Sequence, residues 1–175
     1  IPHTVLKTNL TLSVASGTPQ GATTGGTQRV IFQFNAAAAN NAEDVTENKV
    51  VITSVDITTT KSGLTVNNVR VYPSEFDANA TYQTNCVALS QTKWRCTLNT
   101  AGATNEVVEN TSRSYVVRAD VGSGAGTSNT LDVSIASLGS SNVAGDVVWT
   151  DGTTSTSWVN QAGASYIQPS QPMTF

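Results

Sequence analysis

Apolar and polar residues alternate along much of the chain, in short runs that are separated by turn-forming residues. The first run covers residues 5–14, and its apolar face carries Leu6, Leu10, Leu12 and Val14, while lysine, asparagine and threonine occupy the other face. Because successive side chains of a β-strand point to opposite sides, this alternation is typical of a strand with one buried face. We therefore predict a half-buried strand near the start of the chain.

Comparable runs recur toward the C-terminus. The further predicted strands cover residues 29–35, 47–60, 66–72, 84–89, 93–98, 112–121, 130–138 and 143–149, with short candidates at 158–159 and 166–168. Within residues 29–35, the alternation places Val30, Phe32 and Phe34 inward. Only residues 36–43 tolerate a helix, and this stretch is too short for a stable one, so we predict a single turn or a loop there.

The pattern predicts an all-β fold of about eight to ten short strands with almost no helix. Regular turn signals between the strands favour an antiparallel β-sandwich, either Ig-like or jelly-roll-like, over βαβ units. A chain of 175 residues fits one such domain. We divide it into an N-terminal strand (residues 1–16), a Gly/Thr-rich loop (17–27) and the sandwich domain (28–175).

Composition argues against catalysis. Charged residues make up only 12% of the chain, and its one histidine, His3, lies near the N-terminus. General acid–base and nucleophilic catalysis need titratable side chains with tuned pKa values, and this chain offers few. We therefore expect a structural role and no enzymatic activity.

Charge and hydropathy exclude two classes of partner. The formal net charge is −3, without a cluster of lysine or arginine, so the chain has no electrostatic reason to bind nucleic acid. No apolar run approaches the ~20 residues of a membrane-spanning helix, and we expect no membrane insertion. The chain begins at Ile1 without methionine, which suggests a secreted protein after removal of a signal peptide, although a truncated chain would look the same.

The two cysteines, Cys86 and Cys96, flank a polar turn at residues 90–92. In a hairpin folded about that turn they face each other, close enough for a cross-strand disulfide. Two buried free thiols are the alternative, whereas two cysteines and the distant His3 do not make a metal site. A disulfide indicates an oxidising, extracytoplasmic compartment.

Three asparagines, Asn9, Asn79 and Asn110, begin Asn-X-Ser/Thr sequons and are candidate glycosylation sites. A chain rich in asparagine, serine and threonine also generates sequons by chance. If the source glycosylates its surface proteins, Asn79 and Asn110 are the better acceptors, because both lie in loop-like stretches.

We expect no cofactor, and calcium is the one candidate ion. Carboxylate and carbonyl oxygens are the ligands that Ca²⁺ prefers, and one polar loop gathers several of them without the spacing of an EF-hand. The residues of that loop are Asn40, Asn41, Glu43, Asp44 and Glu47.

Three aromatic side chains near the C-terminus form a candidate glycan platform, because exposed aromatic rings stack on sugars. Trp149 and Trp158 flank a polar turn around Asp151, and Tyr166 follows. The alternative is that Trp149 ends a core strand and that Trp158 covers the edge of the sandwich.

The C-terminal half carries a series of motifs: a YVVRADV strand, a Gly-rich loop, a TLDVSIAS strand and a GDVVW-D strand. Together with VVITSVDITTT and NVRVY in the N-terminal half, the series resembles modules of large bacterial surface proteins and S-layer-like proteins, over roughly two thirds of the chain. The resemblance implies an Ig-like sandwich with a structural role at the cell surface, and brings no catalytic residues. Such modules usually lie inside much longer chains, so a chain of this length suggests a stand-alone subunit.

Our first hypothesis is a secreted structural protein, a subunit of an extracellular filament, pilus or surface layer that self-assembles through sheet edges. Residues 1–14 would suit a donor strand that completes the sheet of a neighbour; the alternative is that this strand pairs within its own sandwich. A second hypothesis is a carbohydrate-binding or adhesive surface module, and a third is a viral coat or decoration protein. The expected partner is another copy of the chain, with glycans as the alternative.

Overall fold

The chain folds as two β-sheets packed face to face. The computed structural model describes residues 6–40, 48–76, 80–98, 105–123, 128–141 and 143–175. Apart from two short 3-10 turns, Ser74–Phe76 and Ala80–Tyr82, every named element within these ranges is a strand. The prediction of an all-β sandwich with almost no helix is confirmed.

Long strands form the body of the sandwich, and very short ones complete its edges. The strands are β1 (Thr8–Val14), β2 (Gly21–Ala22), β3 (Gly26–Asn40), β4 (Lys49–Ser62), β5 (Leu64–Pro73), β6 (Thr84–Asn85), β7 (Val87–Ala88), β8 (Lys93–Thr97), β9 (Glu106–Val108), β10 (Ser112–Ser123), β11 (Thr130–Ser134), β12 (Val147–Thr150), β13 (Ser155–Thr156) and β14 (Met173–Thr174). The last residue of β5 is Pro73, which has no N–H to donate and so ends the strand.

The first sheet has the order β1-β3-β10-β5-β6, and the second has the path β13-β12-β4-β11-β14-β2. Strand β4 also pairs with β8 and β9, which lie off this path, and β7 pairs with β8. If β1, β3, β4, β5, β10, β11 and β14 are lettered A to G in chain order, the first sheet reads A-B-E-D and the second contains C-F-G. This is the strand order of the Ig constant-type sandwich.

The side chains between the two sheets form one apolar core. In the first sheet Phe34 stacks on both neighbours, with ring centroids 5.9 Å from Phe32 and 5.1 Å from Tyr115. The second sheet contributes Ile52 and Trp149 to the same cluster. Removal of this apolar surface from water is the main force that holds the sheets together.

A β-bulge in β3 changes which side chains point inward. Phe32 pairs with Val117 and Val30 pairs with Arg118, so Ile31 is the extra residue between them. Ile31 is buried in the core and Val30 is only half-buried. The prediction of Phe32 and Phe34 as inward residues agrees with the structure. The prediction of Val30 as an inward residue is wrong, because Ile31 occupies that core position.

The alanine stretch after Phe34 is a strand and not the predicted turn or loop. Strand β3 continues to Asn40, with β1 paired on one side and β10 on the other, so that Ala36 lies between Leu12 and Arg113. Because Ala36 is fully buried between two paired strands, tertiary contacts override the helix preference of alanine. Residues 41–43 lie outside the described part.

Two further strand predictions need correction. Residues 158–159 are not in a strand, and residues 166–168 contribute only an isolated bridge between Ile167 and Ile135. The predicted strand 84–89 is divided: β6 pairs with β5 in the first sheet, and β7 pairs with β8 in the second. Cys86 lies between β6 and β7, where the chain passes from one sheet to the other.

Candidate functional site

The disulfide hairpin is fixed to both sheets. Cys86 and Cys96 are bonded, with their Cα atoms 4.2 Å apart, which confirms the predicted pairing. The Cys86 N–H also donates to the carbonyl of Val69 in β5, at 2.9 Å. Beyond the disulfide, Val87 is 67% exposed and Leu89 is 49% exposed. The crossover between the sheets is therefore rigid, and it presents apolar side chains to solvent.

Strand β1 is an edge strand of its own sandwich. It pairs with β3 in antiparallel register from Thr8 opposite Asn40 to Val14 opposite Phe34. The side chains of Leu6, Leu10 and Leu12 are buried in the core of the same chain, and Val14 packs against it half-buried. The four residues of the predicted donor strand thus fill their own subunit in this structure. Residues 1–5 lie outside the described part.

A glutamine side chain occupies the outer edge of β1. The Leu12 N–H donates to Oε1 of Gln161 at 2.7 Å, and Nε2 of Gln161 donates to the Leu12 carbonyl at 2.8 Å. A neighbouring strand in an antiparallel sheet would make the same pair of bonds with the backbone of Leu12. Gln161 therefore stands in for a strand that this edge lacks.

Asp151 holds the start of the N-terminal segment beside this edge. Its carboxylate accepts the Lys7 N–H at 2.9 Å, and also the N–H groups of Thr153 and Thr154 in its own turn. Burial alone would raise the pKa of Asp151, but the N–H groups of Thr154, Lys7 and Thr153 outweigh it and hold the pKa below its usual value. The carboxylate is therefore ionised in the folded protein at neutral pH.

The opposite edge of the first sheet is open along part of β5. Residues 64–67 pair with β10, whereas the register with β6 covers only Arg70 and Val71. All four residues line a cleft of about 430 Å³, whose other lining residues are Lys61, Ala88, Ser90, Gln91 and Trp94. In the part of the chain that the structure describes, no strand pairs with the cleft side of residues 64–67. We call this feature the β5 cleft.

An ionic cluster lies on the outer face of the second sheet. Asp56 in β4, 4% exposed, accepts two hydrogen bonds of 2.8 Å from the guanidinium of Arg95 in β8. Nζ of Lys93 lies 2.5 Å from Oδ1 of Asp146 and 3.7 Å from Oδ2 of Asp56. Each buried carboxylate is thus neutralised, as buried charges require. The alternation of Lys93 and Arg95 was visible in the sequence, but only the register of β4 and β8 shows their partners.

The three aromatic residues of the predicted glycan platform do not share an exposed surface. Trp149 is 1% exposed and donates its Nε1 to the carbonyl of Trp158 at 2.8 Å. Trp158 is half-buried against the core, and only Tyr166 is exposed, at 55%. Trp149 therefore does not belong to a surface platform, and the structure agrees with the alternative, in which Trp149 ends a core strand, because β12 pairs with the central strand β4.

The remaining predicted sites differ in accessibility. Asn9 is half-buried in β1, whereas Asn110 is exposed in a turn with a positive φ of 60°. Asn79 lies outside the described residues, as do four of the five candidate calcium ligands, Asn41, Glu43, Asp44 and Glu47; the fifth, Asn40, ends β3. Within the described ranges, no three His, Cys, Asp or Glu side chains are grouped so that they could hold a metal ion.

None of the described residues belongs to a helix with the length and hydropathy to cross a bilayer.

Comparison with known proteins leaves the family open. No protein-family model matches the chain, and no curated protein matches it. One similar solved structure is the pilus backbone (RrgB) from Streptococcus pneumoniae, at 12% sequence identity and a TM-score of 0.32; the match covers 73% of this chain and 31% of that chain. The chain thus spans less than a third of that neighbour, and a TM-score this low supports no conclusion about function.

Proposed function

We propose that this protein is a structural subunit of an extracellular filament, pilus or surface layer, and that it joins its neighbours through the edges of its first sheet. The outer edge of β1 carries the proposal. There a single glutamine side chain supplies the two hydrogen bonds that a neighbouring strand would make with Leu12. Unpaired strand edges are templates for another chain, and one side chain is displaced more easily than a whole strand.

Other observations agree with this role. The Cys86–Cys96 disulfide is of a kind that persists in oxidising compartments such as the cell exterior. The buried carboxylates of Asp56 and Asp146 are occupied by Arg95 and Lys93, which suits structural ion pairs better than catalytic acids. A role without enzymatic activity or cofactor remains part of the proposal.

Edge addition and donor-strand exchange are two ways to use β1. In exchange, β1 would leave its own sheet and bury Leu10 and Leu12 in a neighbour. A disulfide between Cys substituted at Thr11 and Ala37, which face each other in β1 and β3, would prevent β1 from leaving. If the Thr11→Cys/Ala37→Cys protein still assembles, the subunits join by edge addition; if it stays monomeric while Thr11→Cys alone assembles, they exchange β1.

Negative-stain electron microscopy of the natively purified protein tests the proposal directly. We expect ordered filaments or lattices, and closed shells would point to a virion coat instead. Gln161→Ala should assemble at lower protein concentration than the wild type, because β1 then has an open edge, while the exposed Gln168→Ala serves as the matched control. Monodisperse particles of the wild type at all concentrations would overturn the proposal.

A glycan-binding function is not favoured, since the burial of Trp149 leaves Tyr166 without its predicted neighbour on the surface.

A further inference from the structure

We propose that the β5 cleft is an acceptor site for an extended strand from a second copy of this chain. The inference rests on the proposed function, and it adds a second contact between subunits, at the edge of the first sheet opposite β1. Residues 64–67 form one wall of the cleft, and the disulfide hairpin forms the opposite wall.

The backbone of β5 supplies the means of binding. Residues 64–67 pair with β10 from Leu64 opposite Ser123 to Asn67 opposite Asp120, so one side of the strand is already satisfied. The other side faces the cleft, because β6 reaches only Arg70 and Val71. Four residues of strand span about 13 Å, which is enough for an added segment to form main-chain hydrogen bonds.

The opposite wall is fixed before a partner arrives. The Cys86–Cys96 disulfide joins the two arms of the hairpin, and Cys96 pairs with Val55 of β4. Trp94 is also held, because its Nε1 lies 3.3 Å from the Thr59 hydroxyl, to which it donates. A rigid wall lowers the ordering cost of binding. The cleft therefore resembles a slot between a strand edge and a preformed wall.

The chemistry of the cleft selects an uncharged or acidic segment. Lys61 is the one charged residue among those that line it. Ala88 and Trp94 contribute accessible apolar surface, the side chains of Leu64 and Val66 are buried behind it, and the rest is hydroxyl or amide. The segment Ile-Pro-His-Thr-Val at residues 1–5 has no lysine, arginine or carboxylate side chain, and it places Ile1 and Val5 on the same side when extended. We assign this segment of a second copy as the occupant.

The topology makes this contact head-to-tail. Strand β1, which follows residues 1–5, is at one edge of the first sheet, and the β5 cleft is at the opposite edge. A contact between two different surfaces of identical subunits is heterologous, and it produces an open filament unless the rotation closes a ring. The assigned occupant is therefore consistent with a filament subunit.

Filling the cleft tests the assignment. Ala88 lines the cleft, whereas its neighbour Val87 is exposed on the same hairpin and does not line it. We expect Ala88→Trp to raise the protein concentration needed for assembly at least tenfold, and Val87→Trp to behave like the wild type. Circular dichroism and a thiol assay for the intact disulfide would show that both variants are folded.

A photo-activated cross-linking residue in place of Gln91 identifies the occupant. Under assembly conditions it should cross-link to residues 1–5 of a second copy, as mapped by mass spectrometry of mixed isotopically labelled chains. Cross-links to another segment, or equal assembly of Ala88→Trp and the wild type, would overturn the acceptor site while the proposed function stands. A wild type that never assembles would overturn both.

Discussion

The substitution Leu12→Ala measures whether β1 belongs to its own subunit in solution. Leu12 is 2% exposed and lies opposite Ala36 in the first sheet. The change removes three carbon atoms from the core, which costs about 2.4 kcal/mol at ~0.8 kcal/mol per carbon. A residual cavity adds to this, since measured Leu→Ala changes cost ~2–5 kcal/mol. We expect the free energy of unfolding of the monomer to fall by about 3 kcal/mol.

Urea denaturation of monomeric protein, followed by tryptophan fluorescence, provides the measurement. A loss of about 3 kcal/mol corresponds to a melting temperature lower by roughly 6–12 °C for a chain of this length. Ser13→Ala is the matched control, because Ser13 is exposed in the same strand, and surface changes stay within about 0.5 kcal/mol. If Leu12→Ala and Ser13→Ala have equal stability, β1 is not seated in its own core, and the reasoning is refuted.

Three further predictions follow from described contacts. Replacing Cys86 and Cys96 with alanine should lower the free energy of unfolding by about 2.7 kcal/mol, from the separation of 10 residues; equal denaturation midpoints would contradict this. The pKa of Asp151 is lowered in the folded state, so its contribution to stability is present above about pH 4 and is lost as the pH falls through the folded pKa. Asp151→Asn should therefore show a flatter acid unfolding profile, and an unchanged profile would exclude this role. Burial raises the pKa of Tyr115 above its usual value of 10.0, so stability should fall as the pH rises past about 10, and Tyr115→Phe should remove that loss in alkaline denaturation. A Tyr115→Phe protein that is just as alkali-sensitive would disagree.

Deleting the N-terminal strand should remove most of the stability of the domain. Removal of residues 1–16 would take away Leu6, Leu10 and Leu12, all of them buried. At ~1.5–3 kcal/mol for each leucine, the loss approaches the whole stability of a domain, ~5–15 kcal/mol. We expect an unfolded or aggregated chain, and not a soluble monomer, so the Thr11→Cys/Ala37→Cys pair is the sharper test of strand exchange.

Local pattern predicted much of the fold because its cause is local. Alternation identified β1, β4, β5 and β10, since a strand with one face in the core must alternate. The disulfide followed from a short loop that can bring Cys86 and Cys96 together. By contrast, the bulge at Ile31 shifts the phase of the alternation, and it is set by the register with β10. The position of this bulge therefore cannot be predicted from the local sequence of β3.

The candidate site was less visible in the sequence for the same reason. Gln161 and Leu12 are 149 residues apart, and nothing about an isolated glutamine marks it as the cap of a strand edge. The β5 cleft likewise depends on how far β6 extends along β5. The sequence left two interpretations of Trp149, a glycan platform or the end of a core strand, because its neighbours are polar. Only the pairing of β12 with β4, which places the ring in the core, decides between them.

The position of β4 has a consequence for how the chain folds as it emerges. Its partners β8, β9, β11 and β12 all follow it in the sequence. The pairing of β4 cannot be completed until residues 147–150 have appeared. Contacts of such high sequence separation slow folding. During synthesis or export, β4 would have both edges unpaired, a state prone to aggregation. Keeping the chain unfolded until all partners of β4 are present would avoid that state.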